Sequence, residues 1–243
     1  MFNRKKEPLM TWMTHMPGLA DDPLCQPQPA SKFIPQQWKK MPNFAPSTSG
    51  TLSNRRQRTV KKCPSFIEWF STGVILPAWC DIVFKYDKQT NLWQAATGDE
   101  SSPYQIDIHS NPQMLDYMDY KHRGDKAQLI FKLNCPWYLK TPKGYSTLQL
   151  PLFYHADRDW QVAAGMWHSD ILHDTSQQIF YFGDREEVVI KKGEPLAHYI
   201  TFKRNKTSFI TKLMNAKESY SIRAQELELH SKSTGGYAAM KRD

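Results

Sequence analysis

The chain has 243 residues, of which 40% are hydrophobic, 13% aromatic and 23% charged. That is an ordinary globular composition, with enough apolar material for a sizeable core. No stretch approaches the roughly 18 consecutive apolar residues of a membrane-crossing helix. The basic start at Arg4, Lys5 and Lys6 is not followed by the apolar run of a secretory signal. The formal net charge of +8 is uneven: residues 1–62 carry +8, residues 63–202 carry −5 and residues 203–243 carry +5. Basic flanks suit a nucleic acid, a membrane surface, an acidic protein patch or plain solvation. The four cysteines, Cys25, Cys63, Cys80 and Cys135, share no CxxC spacing. They read as buried or half-buried thiols of a reducing cytoplasm, with a Cys/His zinc site assembled in space as the alternative.

Residues 1–62 hold eight of the sixteen prolines, which forbids a long helix there. Yet Trp12, Met13, Met16, Phe33, Ile34, Trp38, Met41 and Phe44 punctuate this segment. An extended arm that lays its aromatics into grooves is expected over 1–46, looser at 18–30 and 47–60, with a linker near Ser47–Gly50. From Cys63 to Arg204 a β domain is expected. Pro64–Phe70 opens it as a short helix with proline in its first turn. Segments bounded by turn residues follow: Val74–Trp79, then Asp81–Tyr86 and Leu92–Gln94 as a hairpin, then Gln105–His109. Gln128–Leu133, Trp137–Lys140, Thr147–Leu150, Gln161–Trp167, Gln178–Phe182, Val188–Ile190 and Leu196–Phe202 continue the series. Trp79, Phe84, Trp93, Ile130, Leu148, Phe180, Val189 and Ile200 are the expected core. Over residues 205–243, Phe209, Leu213, Ala216, Tyr220, Ala224 and Leu227 step by three or four, the period of an amphipathic helix, with Thr207 or Ser208 as its cap and Gly235-Gly236 past its end. The fold class is therefore mainly β: an antiparallel β-sandwich or barrel, jelly-roll or β-clip-like, with an extended N-terminal arm and a C-terminal helix.

His168-Ser169-Asp170 is the sharpest chemical pattern. Non-haem iron oxygenases hold the metal with two His and one carboxylate on one face. An HxD at a strand end supplies two ligands; His198, 28 positions beyond Asp170, would be the third, and Arg204 would clamp a co-substrate anion. The pattern resembles the 2-oxoglutarate-dependent dioxygenases, and on that reading the cofactor would be Fe(II). The alternative is a surface loop whose polar groups bond one another, with no cofactor. Asp157, Asp159, Asp170, Asp174 and Asp184 could likewise serve a divalent cation, or be solvated turns. Arg55, Arg56, Arg58, Lys61 and Lys62 form a basic cluster suited to phosphates or to a partner protein. No P-loop, GxGxxG or GxSxG is present.

Several elements together resemble a family of unknown function carried by tailed bacteriophages and bacteria. They are Cys63-Pro64 with the apolar segment after it, Gly73 and the strand to Pro77, and the alternating strand before Trp93. Tyr138-Leu139-Lys140-Thr141-Pro142-Lys143-Gly144-Tyr145, an aromatic-rich strand and Lys192-Gly193-Glu194-Pro195-Leu196 complete the set. The likeness covers residues 63–204 and implies a phage or bacterial origin without an activity. A Pro-Gly turn before one strand and a Gly turn before the last are also similar to the β-clip fold of trimeric dUTPases and dCTP deaminases, in fold only. The expectation is a non-enzymatic, phage-encoded binding or assembly protein. It would act in the cytoplasm of an infected cell or in the virion, on a phage or host protein, in a homo-oligomer, or on nucleic acid through residues 55–62, and not on a membrane.

Overall fold

The computed structural model describes residues 8–45, 59–98, 106–109, 129–155, 157–183 and 185–231. In chain order the strands are β1 (Thr11–Met13), β2 (Gln28–Pro29), β3 (Val74–Pro77), β4 (Ile82–Asp87) and β5 (Leu92–Thr97). There follow β6 (Ile106–His109), β7 (Leu129–Lys140), β8 (Tyr145–Leu150), β9 (Trp160–Val162) and β10 (Gly165–Trp167). The last three are β11 (Asp174–Tyr181), β12 (Glu187–Ile190) and β13 (Pro195–Lys203). The helices are α1 (Pro17–Ala20), α2 (Gln36–Lys40), α3 (Pro64–Ser71) and α4 (Ala216–Ser231). The fold is mainly β, and its strand pairs are antiparallel. Among the described residues, no helix is long and apolar enough to cross a membrane.

Three sheets build the body. One runs β1-β7-β11-β9 with β6 also on β7; a second runs β10-β8-β13-β3-β2; a third runs β12-β4-β5. The first two face each other across Tyr199 of β13, which is fully buried. Its hydroxyl donates to Gln149 Oε1 of β8 at 2.7 Å and accepts from Gln177 Nε2 of β11 at 2.8 Å. The ring meets Trp12 of β1 and Trp167 of β10 edge-on, at centroid distances of 5.0 and 5.8 Å. The third sheet packs on the first through Phe84, stacked on Phe131 of β7 at 3.4 Å.

Local chemistry explains most boundaries. Asn91 takes φ 58° where the β4–β5 hairpin reverses, a conformation asparagine tolerates better than most residues. Gly73 takes φ 79° before β3; a Cβ there would stand 2.3 Å from the Tyr199 carbonyl oxygen, so only glycine fits. The segments expected over 128–133 and 137–140 are joined in a single strand, β7 (Leu129–Lys140), that runs through Pro136. Proline is tolerated there because the β11 pairing shifts register between Asp174 and Ser176, opposite it. Conversely, the run expected as one strand over 161–167 is split. β9 pairs with β11 in the first sheet and β10 with β8 in the second, so the chain changes sheets at Ala163-Ala164.

The core differs from the expected list in a regular way. Trp79, Phe84, Ile130 and Phe180 are buried, but Trp93, Leu148, Val189 and Ile200 are only half-buried. Along β12 the inward positions are Val188 and Ile190, so Val189 points outward. On β13 the fully buried ring belongs to Tyr199 rather than to its neighbour Ile200.

The N-terminal arm belongs to the body. β1 pairs with β7 and β2 with β3, which places one arm strand in each large sheet. Residues 18–30, expected to be looser, contain the end of α1, the fully buried Cys25 and β2. The Cys25 thiol donates to the Trp79 carbonyl at 3.4 Å, and Lys192 pairs with Asp22 at 2.6 Å, so this stretch is held by polar contacts that hydrophobicity does not reveal. Phe44, expected in a groove, is exposed. Within the stretch 47–60, residues 47–58 lie outside the described residues.

At the C-terminus the helix begins at Ala216, not near Thr207. Asn215 and Glu218 cap it reciprocally: the Glu218 N–H donates to Asn215 Oδ1 at 2.9 Å and the Asn215 N–H donates to Glu218 Oε2 at 3.1 Å. Upstream, Thr207, Phe209, Ile210 and Thr211 are β-branched or aromatic residues with weak helix preference. The Gly235-Gly236 stop lies outside the described residues.

Replacing Tyr199 by Phe removes the hydroxyl and leaves the buried Gln149 and Gln177 amides short of a partner. The expected loss is about 1–3 kcal/mol of unfolding free energy in denaturant titration. Trp12→Ser strips the ring that seats β1 on Tyr199, and limited proteolysis should then cut within residues 8–20 faster than in the parent chain.

Candidate functional site

The HxD triplet lies just after β10; of its two expected partners, Arg204 comes to Asp170 and His198 does not. The Arg204 guanidinium grips Asp170 in a two-pronged ion pair, at 2.7 Å to Oδ1 and 2.6 Å to Oδ2. The Gly144 N–H adds a third bond to Oδ2 at 2.8 Å, and the Gly144 carbonyl accepts the Arg204 N–H at 2.8 Å. Gly144 reaches this geometry with φ 87°, as the tight turn between β7 and β8 requires. The Asp170 side chain is 5% exposed. Arg204 first, then the Gly144 N–H, hold its carboxyl well below the usual carboxylate range.

His168 does not join it at a metal-binding point. Its Nδ1 lies 2.8 Å from the Ser146 hydroxyl. His198 sits on β13 opposite Leu150, whereas Phe202 is opposite Ser146. Four residues of strand therefore separate the His198 and Ser146 levels, about 13 Å. The His198 Nε2–H donates to the Thr72 carbonyl at 2.6 Å, and Trp69 meets the imidazole edge-on. Burial pushes the His198 pKa down, so the ring is neutral at pH 7. The trio His168, Asp170 and His198 expected at a metal is thus not brought together. Arg204, expected to clamp a co-substrate anion, spends its guanidinium on Asp170. Among the described residues, no group of three or more His, Cys, Asp or Glu side chains is gathered to hold an ion. Of the loop aspartates, Asp159 is likewise taken by Arg185, at 2.6 and 2.7 Å.

The corner joins three segments. Asp170 ties the β7–β8 turn, the loop after β10 and the end of β13 into one joint, from which residues 205–231 depart. Beside it lies an open groove of about 790 Å³ lined by Met13, Lys140, Lys143, Gly144, Ile171 and Arg204, among others. Ile171 is exposed, as is its neighbour Leu172.

The basic cluster also divides. Arg55, Arg56 and Arg58 lie outside the described residues. The Lys61 ammonium is not an open cation: it donates to the carbonyls of Lys39 at 2.7 Å and Met41 at 2.9 Å, at the end of α2. Lys62 is exposed. Two of the thiols are quiet. Burial pushes Cys25 up to about 11 and Cys135 up to about 12, so neither supplies a thiolate near neutral pH.

Asp170→Asn tests the joint. A carboxylate with a depressed pKa stabilises the fold above its ordinary unfolded value, near about 4, and loses that contribution as pH falls below it. The variant should melt at a lower temperature than the parent at pH 7. The gap should narrow as calorimetric scans move from about pH 4 towards pH 2.

No protein-family model matches the chain, and no curated protein does. Solved structures similar to it include a mutant dUTPase from phage phi11 of Staphylococcus aureus. That likeness has 10% identity and a TM-score of 0.27, over 47% of this chain and 99% of that one. The dUTPase of Staphylococcus bacteriophage 80alpha is similar at 11% identity and the same TM-score, over 47% of this chain and 100% of its own. The fold class is set by this chain's own strand pairing.

Proposed function

We propose that this chain is a non-enzymatic assembly protein that docks on a second copy of itself through its C-terminal segment. The carrying observation is the state of that segment. Phe209, Ile210 and Leu213 are 87%, 84% and 97% exposed, and Tyr220 and Leu227 of α4 are exposed as well. Single apolar side chains on a surface are normal, but this many on one projecting segment mark an interaction surface.

Charge and shape support a second copy as the partner. Residues 203–243 carry +5 and residues 63–202 carry −5, so the segment of one copy complements the body of another. Exposed Met166, Ile171 and Leu172 offer that body an aliphatic landing site. Eleven residues from 205 to 215 span up to about 36 Å when extended, enough to reach across to a neighbour. The phage origin, and with it action in an infected cell, rests on the sequence resemblance over residues 63–204. The dioxygenase alternative has lost its main support, because Asp170 and Arg204 satisfy each other.

Light scattering on the purified chain is the test. The parent should exceed the 28.3 kDa of one chain, and Phe209→Ser with Ile210→Ser and Leu213→Ser should return it to one chain at an unchanged melting temperature. A parent chain that stays at monomer mass at about 100 μM would sink the reading.

A further inference from the structure

A second surface lies on the N-terminal side of the molecule, independent of the C-terminal segment. From Pro23 to Ile67 the sequence contains no Asp or Glu at all. The same stretch carries Lys32, Lys39, Lys40, Lys61 and Lys62 among the described residues. The fold gathers most of these together. Lys61 bonds the end of α2, and the Thr59 N–H and hydroxyl donate to the carbonyls of Asn43 and Pro42 at 3.1 and 2.6 Å. Residues 59–62 therefore lie along residues 39–43. Lys39, Lys40 and Lys62 stand exposed on the two strips so joined.

Aromatic rings adjoin them. Trp38 of α2 stacks on Phe66 of α3 at 5.1 Å and meets Phe70 at 4.8 Å. Tyr154, from the loop after β8, closes on Trp38 at 5.8 Å and Phe66 at 5.2 Å. Phe153 lies 5.9 Å from Trp69 and keeps 60% of its surface exposed. The inner rings of this cluster hold α2 and α3 on the body. Phe153, Tyr154 and Phe44 leave ring surface open to solvent.

We infer that this face binds single-stranded nucleic acid. The ammonium groups of Lys39, Lys40 and Lys62 meet phosphates, and Phe153 and Tyr154 offer ring faces to bases. Lysines alone would serve any polyanion, through release of its counterions. Open aromatic rings beside an acid-free basic strip add what unpaired bases need and a duplex hides, a flat apolar face to stack on. Base edges are not read by such a surface, so little sequence preference accompanies the binding. Lys61 acts indirectly, by holding the two basic strips side by side.

The experiment is fluorescence anisotropy of the full chain against a labelled 20-nucleotide oligo(dT), its duplex with oligo(dA), and vesicles containing one-third phosphatidylserine. Oligo(dT) should bind best, and its affinity should fall with salt. Lys39→Ala with Lys40→Ala and Lys62→Ala should reduce the salt slope by about 2, at roughly 0.7 per lost phosphate contact. Phe153→Ala should weaken oligo(dT) about five- to a hundredfold while barely changing the duplex. Phe153 is exposed, so the melting temperature should hold, which separates lost binding from lost fold. Equal affinity for single strand and duplex, an unaffected Phe153→Ala, or a preference for the vesicles would each overturn the assignment. None of these outcomes bears on the oligomeric mass, so the two readings stand or fall separately.

Discussion

The structure depends on one buried phenol. Tyr199 sits where the two large sheets meet, and its burial raises its pKa far above the ordinary value, so it stays a neutral hydroxyl. As a neutral hydroxyl it can both donate and accept, and it does so to an amide from each sheet. A polar group in this position stays favourable only while its partners remain in place. The arrangement thus fixes how β8, β11 and β13 face one another. It also explains the presence of the arm: the Trp12 ring covers one edge of the phenol and Trp167 another.

Around that core, charge joins segments. Asp22 and Asp81 both receive the Lys191–Lys192 turn. Asp22 takes the Lys192 ammonium at 2.6 Å, and Asp81 takes the Lys191 ammonium at 2.9 Å and the Lys192 N–H at 2.8 Å. Asp159 holds Arg185, and Asp170 holds Arg204. In each case a carboxylate on one loop pins a cation on another, where backbone ladders have ended. The HxD triplet belongs to this pattern: His168 bonds Ser146, Ser169 bonds Thr141 and Thr147 at 2.9 and 2.8 Å, and Asp170 bonds Arg204. A motif read as a ligand set is a loop whose polar groups satisfy one another.

The two surfaces we propose as functional flank this body from opposite ends of the sequence, and their chemistry differs. The C-terminal segment offers aliphatic and aromatic side chains, suited to a protein surface. The α2–α3 face offers ammonium groups and ring faces, suited to phosphates and bases. A chain with both could hold a nucleic acid strand against a protein assembly.

The sequence by itself determined the strand-rich architecture, because alternation and turn residues are local signals. The hairpin expected from 81–86 and 92–94, the proline-led helix at 64 and the strands expected at 74–79, 147–150 and 188–190 were legible in it, with ends displaced by one to three residues. It also showed that an arm with Trp12 and Trp38 could not be a bare linker, since only packing repays exposure of such rings to water. Tertiary structure decided the rest. Whether Val188 or Val189 faces inward depends on register against β4, which no single strand encodes. The division of 161–167 between two sheets depends on where β8 and β11 lie. The roles of Asp170 and Arg204 depend on two residues 34 positions apart returning to the same corner. Spacing in sequence could place His168 beside Asp170, but only the folded sheets could place Arg204 there first and leave His198 four residues away along a strand.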